Sequence, residues 1–318
     1  MKRLFLIDTD TASDDAVALM MAMMAPDIEI AAITTVAGNV DAAQASINAL
    51  YTAQICGRDI PVYSGANKPL MRTHLDASWF HGADGMGEMN YPAPLRAPET
   101  KHAVDAILDT IEAHPGLVLV TLGPLTNIAL AVLKKPDIFK KVSRCVIMGG
   151  NPCCVGNVTP AAEYNIWVDP EAAKIVFRSG LPIEMVGWQV SRDDAVLHEA
   201  EIQQVLGFGT ERAKFAIECN RIARKAFKTQ TGQDGISLPD PTAMAVALNK
   251  DVGTRWSRHF VEIETLSEMT RGMTVVDELN VSRDGNNMEV WGEQIHQADI
   301  CWTLDNAAFK KMLFETLK

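Results

Sequence analysis

Four aspartates, Asp8, Asp10, Asp14 and Asp15, lie within eight residues of sequence, directly after the apolar run Leu4-Phe5-Leu6-Ile7. Carboxylates crowded this closely repel one another unless a proton or a cation stands between them. A donor set made only of oxygens suits Ca²⁺ or Mg²⁺ better than Zn²⁺. Asp14 and Asp15 are consecutive at the start of a predicted helix, so their side chains diverge and take separate roles. The plainer alternative is that one or two of the four cap a turn and a helix, whose first N–H groups welcome a carboxylate. Two further side chains invite chemistry. Glu163, in AAEYN, is a glutamate among apolar neighbours and needs partners, and His81 opens the glycine-rich stretch HGADGMG.

These residues must be positioned by an alternation of short apolar runs and helical segments. Leu4 to Ile7 reads as a strand, and Ala16 to Ala25 as a helix of strong helix formers stopped by Pro26. The strand Ile30 to Val36 closes on Gly38-Asn39, and a helix from Asp41 to Ile55 and a strand at Ile60 to Tyr63 follow. Ser64 to Pro98 has no clean period and reads as an irregular excursion. Alternation resumes with helices at Glu99 to Ala113, Leu125 to Leu133 and Pro170 to Arg178, and with strands at Leu117 to Leu122, Cys145 to Met148 and Ile183 to Val186. The C-terminal part predicts helices over 193–207, 210–227 and 240–249. Short strands at 259–263, 273–276 and 288–290 precede a last helix over 294–317.

Unbroken apolar strands separated by helices imply an α/β fold with an open, mainly parallel twisted sheet covered by helices on both faces, here with a helical C-terminal cap. Right-handed crossovers bring the carboxyl ends of such strands to one edge, where a ligand crevice forms. Asp8, Asp10, Asn39, Leu122-Gly123 and Met148-Gly149 all fall at those ends, which argues for one site.

The 318 residues carry 29 Lys and Arg against 40 Asp and Glu, a formal charge of −11 that disfavours duplex nucleic acid and anionic membranes. No linker, repeat or low-complexity tract divides the chain, so residues 1–318 are expected to form a single domain. The opening MKRLFLIDTD lacks the length and cleavage site of a signal peptide. The six cysteines show neither CxxC nor zinc-type spacing, and scattered reduced thiols in a cytoplasmic protein are the expectation.

An apolar strand followed by Asp8-Thr9-Asp10-Thr11 also resembles the start of haloacid-dehalogenase-type phosphatases, in which the first aspartate attacks phosphorus and the second acts as acid and base. Asp193-Asp194 would then have to serve as the distant metal-binding pair, although VSRDDAVL reads more naturally as a helix start. A longer series of motifs favours another family. DTDTASDD, Gly38-Asn39, HGADGMG, LGPLTNIAL from Leu122, GNVTPAAEYNIWVDPEAA from Gly156 and PDPTAMA from Pro239 occur in this order. Together, from residue 4 to about residue 250, they resemble the inosine-uridine-preferring nucleoside hydrolases.

That resemblance implies calcium-dependent hydrolysis of the N-glycosidic bond of ribonucleosides, in purine and pyrimidine salvage, by a homodimer or homotetramer. It implies that Asp10, Asp15, Asp240 and the Leu122 carbonyl hold Ca²⁺, with Asp10 also the general base toward the attacking water and Asp8 supporting from behind. Asp14, Asn39, Asn157, Glu163 and Asn165 would hold the ribose hydroxyls and Met148 would line the floor. His81 would sit beside the nucleobase or the ribose 5′ side, and Phe227 could close the pocket. A ribose-binding protein without turnover is the remaining alternative.

The chain departs from the family pattern twice. Thr11-Ala12-Ser13 replaces a proline-glycine turn, so that turn must accept a residue with a Cβ. Pro239 replaces a histidine usually discussed as proton donor to the departing base, and proline has no proton to give. The expectation is hydrolysis with an altered or relaxed base preference, with His81 and the Arg221 to Lys228 helix as candidates for assisting departure.

Overall fold

The computed structural model describes residues 2–283 and 296–318. Its first half repeats strand and helix: β1 (Arg3–Thr9), α1 (Ser13–Met24), β2 (Ile28–Thr35), α2 (Ala42–Ile55) and β3 (Val62–Ser64). After an irregular excursion that holds the short helix α3 (Ser78–His81) come α4 (Ala103–Ala113), β4 (Val118–Thr121), α5 (Thr126–Lys134) and β5 (Arg144–Met148). Then follow α6 (Tyr164–Val168), α7 (Pro170–Phe177), β6 (Ile183–Val186), α8 (Glu199–Leu206), α9 (Glu211–Glu218), α10 (Arg221–Thr231) and α11 (Pro239–Leu248). The described chain ends with β7 (Gly253–Ile263), β8 (Thr274–Val276), β9 (Gln297–Leu304) and α12 (Asn306–Leu317).

Among the described residues the strands form one sheet in the order β3-β2-β1-β4-β5-β6-β9-β7-β8. The pairings from β3 across to β9 are parallel, and β7 runs antiparallel to both β8 and β9. Strand side chains alternate between faces, so β1 feeds two cores. Phe5 and Ile7 pack with α1, α2, α9, α11 and α12, whereas Leu6 packs with α4, α5 and α7. This is the expected open α/β sheet with helices on both faces.

The differences lie in the C-terminal part. Residues 297–304 form β9 rather than the start of a helix; Asp305 accepts a hydrogen bond from the Ala308 backbone and begins α12 there. The predicted helix over 210–227 is two helices, because Asn220 turns its amide onto the carbonyls of Ser13 and Ala216. Only residues 199–206 of the predicted helix over 193–207 are α-helical, after a short 3₁₀ turn at Asp193–Ala195. The strand expected at 288–290 lies outside the described residues.

Candidate active site

β1 ends at Thr9, pairing with Thr35 of β2, while Asp8 lies opposite Thr34 and Thr121. The chain then crosses the carboxyl edge of the sheet and enters α1. Ala12 precedes the helix at φ −113° and ψ −155°, an extended conformation that any residue adopts, so this turn needs no glycine. Asp15 reaches back from the first turn and accepts the Ala12 N–H at 2.9 Å and the Thr9 hydroxyl at 2.6 Å. Asp240 enters from the first turn of α11, whose N1 position is Pro239; proline fits there because that N–H has no helical partner to lose. The N-termini of α1 and α11 thus meet, both favouring negative charge.

Asp14, Asp15 and Asp240 are buried, and each offers an oxygen within 4.8 Å of the others. Asp10 stands beside this group, held by two close backbone approaches. Its Oδ2 accepts the Asn39 N–H at 2.6 Å, and a Cβ on Gly38 would lie 2.0 Å from that oxygen. A Cβ on Gly123 would lie 2.6 Å from Asp10 Oδ1. Behind them, Asp8 accepts from Thr34 at 2.5 Å and Asn127 at 2.8 Å.

Burial dominates the acidities here. It raises Asp8 to about 7 against hydrogen bonds from Thr34 and Asn127, and Asp14 to about 6. It likewise raises Asp15 to about 6, with the Asp14 charge adding to the shift. Asp10 and Asp240 are driven well above the carboxylate range, first by burial and then by the Asp15 charge. One oxygen each of Asp8, Asp10, Asp14 and Asp240 is buried with no hydrogen-bond partner among the described residues. Asp14 and Asp240, each with an orphaned oxygen, meet Asp15 where two helices begin, and such a group fits a hard divalent cation, so the residues present suit Ca²⁺.

Above this cluster opens a cleft of about 740 Å³, mouth included. Asp14, Asn39, Leu122, Met148, Asn157, Glu163, Asn165 and Asp240 line it at the sheet edge, and His81, Trp188, Phe227 and Pro239 line it among the helices. Every predicted site residue except the deeper Asp10 and Asp15 therefore faces one space. Glu163 differs from the sequence reading, which left its partners to a sugar. It caps α6, accepting backbone N–H bonds from Asn165 at 2.9 Å, Gly150 at 2.8 Å and Ile166 at 3.2 Å, while burial still lifts it to about 7. Asn165 donates to the Leu122 carbonyl at 2.8 Å and the Met148 carbonyl at 3.3 Å; Asn157 accepts from the Tyr164 N–H at 2.9 Å.

Sequence reasoning passed over Tyr164, whose hydroxyl donates to the Gly38 carbonyl at 2.8 Å and the Leu75 carbonyl at 3.0 Å, tying the excursion to the sheet edge. Ser13, read only as part of the turn before α1, hydrogen-bonds His81. Trp188 is both core and cleft wall. Asp193 and Asp194 are exposed and stand outside the carboxylate group, which removes the metal pair that a phosphatase would need.

The model of the inosine-uridine preferring nucleoside hydrolase family matches residues 5–311. The chain belongs to that family. It is 39% identical over 275 residues to the pyrimidine-specific ribonucleoside hydrolase RihA of Salmonella typhimurium, covering 86% of this chain and 88% of that protein. Among solved structures, a plant nucleoside hydrolase superposes with a TM-score of 0.88 at 31% identity, covering 100% of this chain and 99% of the other. A purine-preferring ribonucleoside hydrolase from Gardnerella vaginalis gives 0.87 at 29% identity, covering 99% and 98%. As a nucleoside hydrolase, the chain cleaves an N-glycosidic bond in a small nucleoside-type substrate, and its three-aspartate cluster can coordinate the divalent cation of that chemistry. Among the described residues no helix is long and apolar enough to cross a membrane.

Proposed function

We propose that residues 1–318 act as one calcium-dependent ribonucleoside hydrolase domain, relaxed in base preference, with the ribose at the sheet edge and the base among the helices. The observation that supports this most is the set of orphaned buried carboxylate oxygens beneath a cleft that is polar at one end and aromatic at the other.

Calcium, when bound, neutralises the carboxylates and acidifies the attacking water. Asp10, Asp15, Asp240 and the Leu122 carbonyl would hold it, and Asp14, grouped with Asp15 and Asp240, would join them. Asp10 takes the proton of the attacking water on Oδ1, the oxygen without a partner. Cleavage of the C1′–N bond builds positive charge on the sugar. Asp14, Asn39, Asn157, Glu163 and Asn165 hold the hydroxyls and favour that charge over the neutral ground state. Met148 forms the floor, and Phe227 and Trp188 keep water from the base. Relaxed preference follows from Pro239, which supplies no acid tuned to one base, and relatives named for pyrimidine and for purine preference flank this chain. Cytoplasmic residence and assembly into a homodimer or homotetramer belong to the same proposal.

The test is a panel of purine, pyrimidine and nicotinamide ribosides with calcium. Release of free ribose from members of more than one class is expected. Riboside binding without ribose release from any member would leave only a binding protein, and release from one class alone would overturn the relaxed preference.

A further inference from the structure

Ser13 is fully buried at the start of α1, and the one hydrogen bond of its hydroxyl among the described residues is to His81 Nδ1 at 2.8 Å. The nearest carboxylate oxygen to that nitrogen, Asp14 Oδ1, is 3.8 Å away, beyond hydrogen-bond reach. Two arrangements share the same heavy atoms. If Nδ1 carried the proton, it would donate to Oγ and leave the buried serine O–H without an acceptor. If the serine donates, both the buried hydroxyl and Nδ1 are satisfied and the imidazole proton sits on Nε2. His81 lines the cleft, and its Nε2 makes no hydrogen bond among the described residues.

We infer that Ser13 is a positioning residue: it locks His81 in the tautomer whose Nε2–H donates a hydrogen bond to the departing base. This rests on the nucleoside hydrolase reading of the cleft. As the C1′–N bond breaks, its electron pair leaves on the base nitrogen, and the negative charge spreads to the ring acceptors. A neutral imidazole N–H there stabilises that charge while keeping its own proton, and solvent protonates the base after release. Departure assisted in this way needs no acid at position 239, where this chain has proline.

The full-length calcium-loaded chain and Ser13→Ala are compared on uridine, inosine and p-nitrophenyl riboside, whose leaving anion is stable unaided. Loss of the hydroxyl frees the ring to change tautomer, so kcat for uridine and inosine should fall about tenfold with KM nearly unchanged. The p-nitrophenyl compound should change less than about threefold. Imidazole nitrogen NMR, with the His81 signals assigned from His81→Ala, should show the proton on Nε2 in the wild type and a mixture in Ser13→Ala. Equal losses on all three substrates, no loss on any, or a wild-type proton on Nδ1 would each overturn the inference. If Ser13→Ala does not fold, the wild-type spectrum decides alone. A wild type that releases no ribose defeats the hydrolase reading instead, and the spectrum still judges the tautomer.

Discussion

Both edges of the parallel sheet bury acids, but they treat them oppositely. At the amino edge, Glu184 of β6 is met by Arg144 at 2.6 Å and Lys250 at 2.8 Å. Burial pushes its pKa up, but hydrogen bonds from those two cations outweigh it and leave the pKa below its ordinary value. At the carboxyl edge, Asp8, Asp10, Asp14, Asp15 and Asp240 are as deeply buried, and no Lys or Arg forms an ion pair with any of them among the described residues. One edge is neutralised by its own chain and the other waits for a charge from outside. Burial alone does not mark a site; burial left uncompensated does.

The contrast can be broken by experiment. Asp10→Ala should lower kcat by about 10³-fold or more in ribose-release assays while circular dichroism stays unchanged, since a general base and a cation neighbour are lost together. Chelation should abolish turnover, and readdition of calcium should restore it and raise the Tm by several degrees; Glu184→Gln should show the same calcium-dependent shift. A Tm indifferent to calcium would erase the distinction between the edges.

Smaller effects sharpen it. Removing one sugar hydroxyl strands buried partners, so 2′-deoxyuridine should show kcat/KM about 100-fold below uridine. Asp14 and Asp15 have folded acidities near 6 against 3.8 unfolded, so the folded state holds more protons between those values. The metal-free protein should therefore lose stability as pH rises through that window, seen as a falling Tm. Calcium competes with the same protons, so its Kd measured by titration calorimetry should tighten from pH 5 to 7 by about tenfold or more. Glu184→Gln should cost about 2 kcal/mol in urea unfolding, as a buried acid loses its charged hydrogen bonds to Arg144 and Lys250, and leave kcat unchanged.

The carboxyl edge was more legible in sequence than the rest. The aspartates, Gly38-Asn39 and Leu122-Gly123 sit where apolar strands stop, and local pattern reveals such stops. The glycines of the last two motifs have a reason sequence does not state: each leaves room for Asp10. The family resemblance turned Asp14 toward the sugar, and divergence along the helix kept it apart from Asp15, yet α11 brings Asp240 to meet both. That approach depends on helix packing over more than 200 residues of separation. The bond from Ser13 to His81 gave no signal, because the two lie 68 positions apart. β9 was missed because strong helix formers in 306–317 lent their character to 297–304, and only pairing with β6 and β7 makes that segment a strand.

The grip on Asp10 has a kinetic consequence. With glycine backbone against both oxygens and the Asn39 N–H bonded to one, the carboxyl plane has almost no room to swing. An incoming ion and sugar find this acceptor already aimed, and none of their association energy is consumed in turning it. A methyl group added at Gly38 or Gly123 would force that plane to rotate, misdirecting proton capture although no acidic residue had been removed.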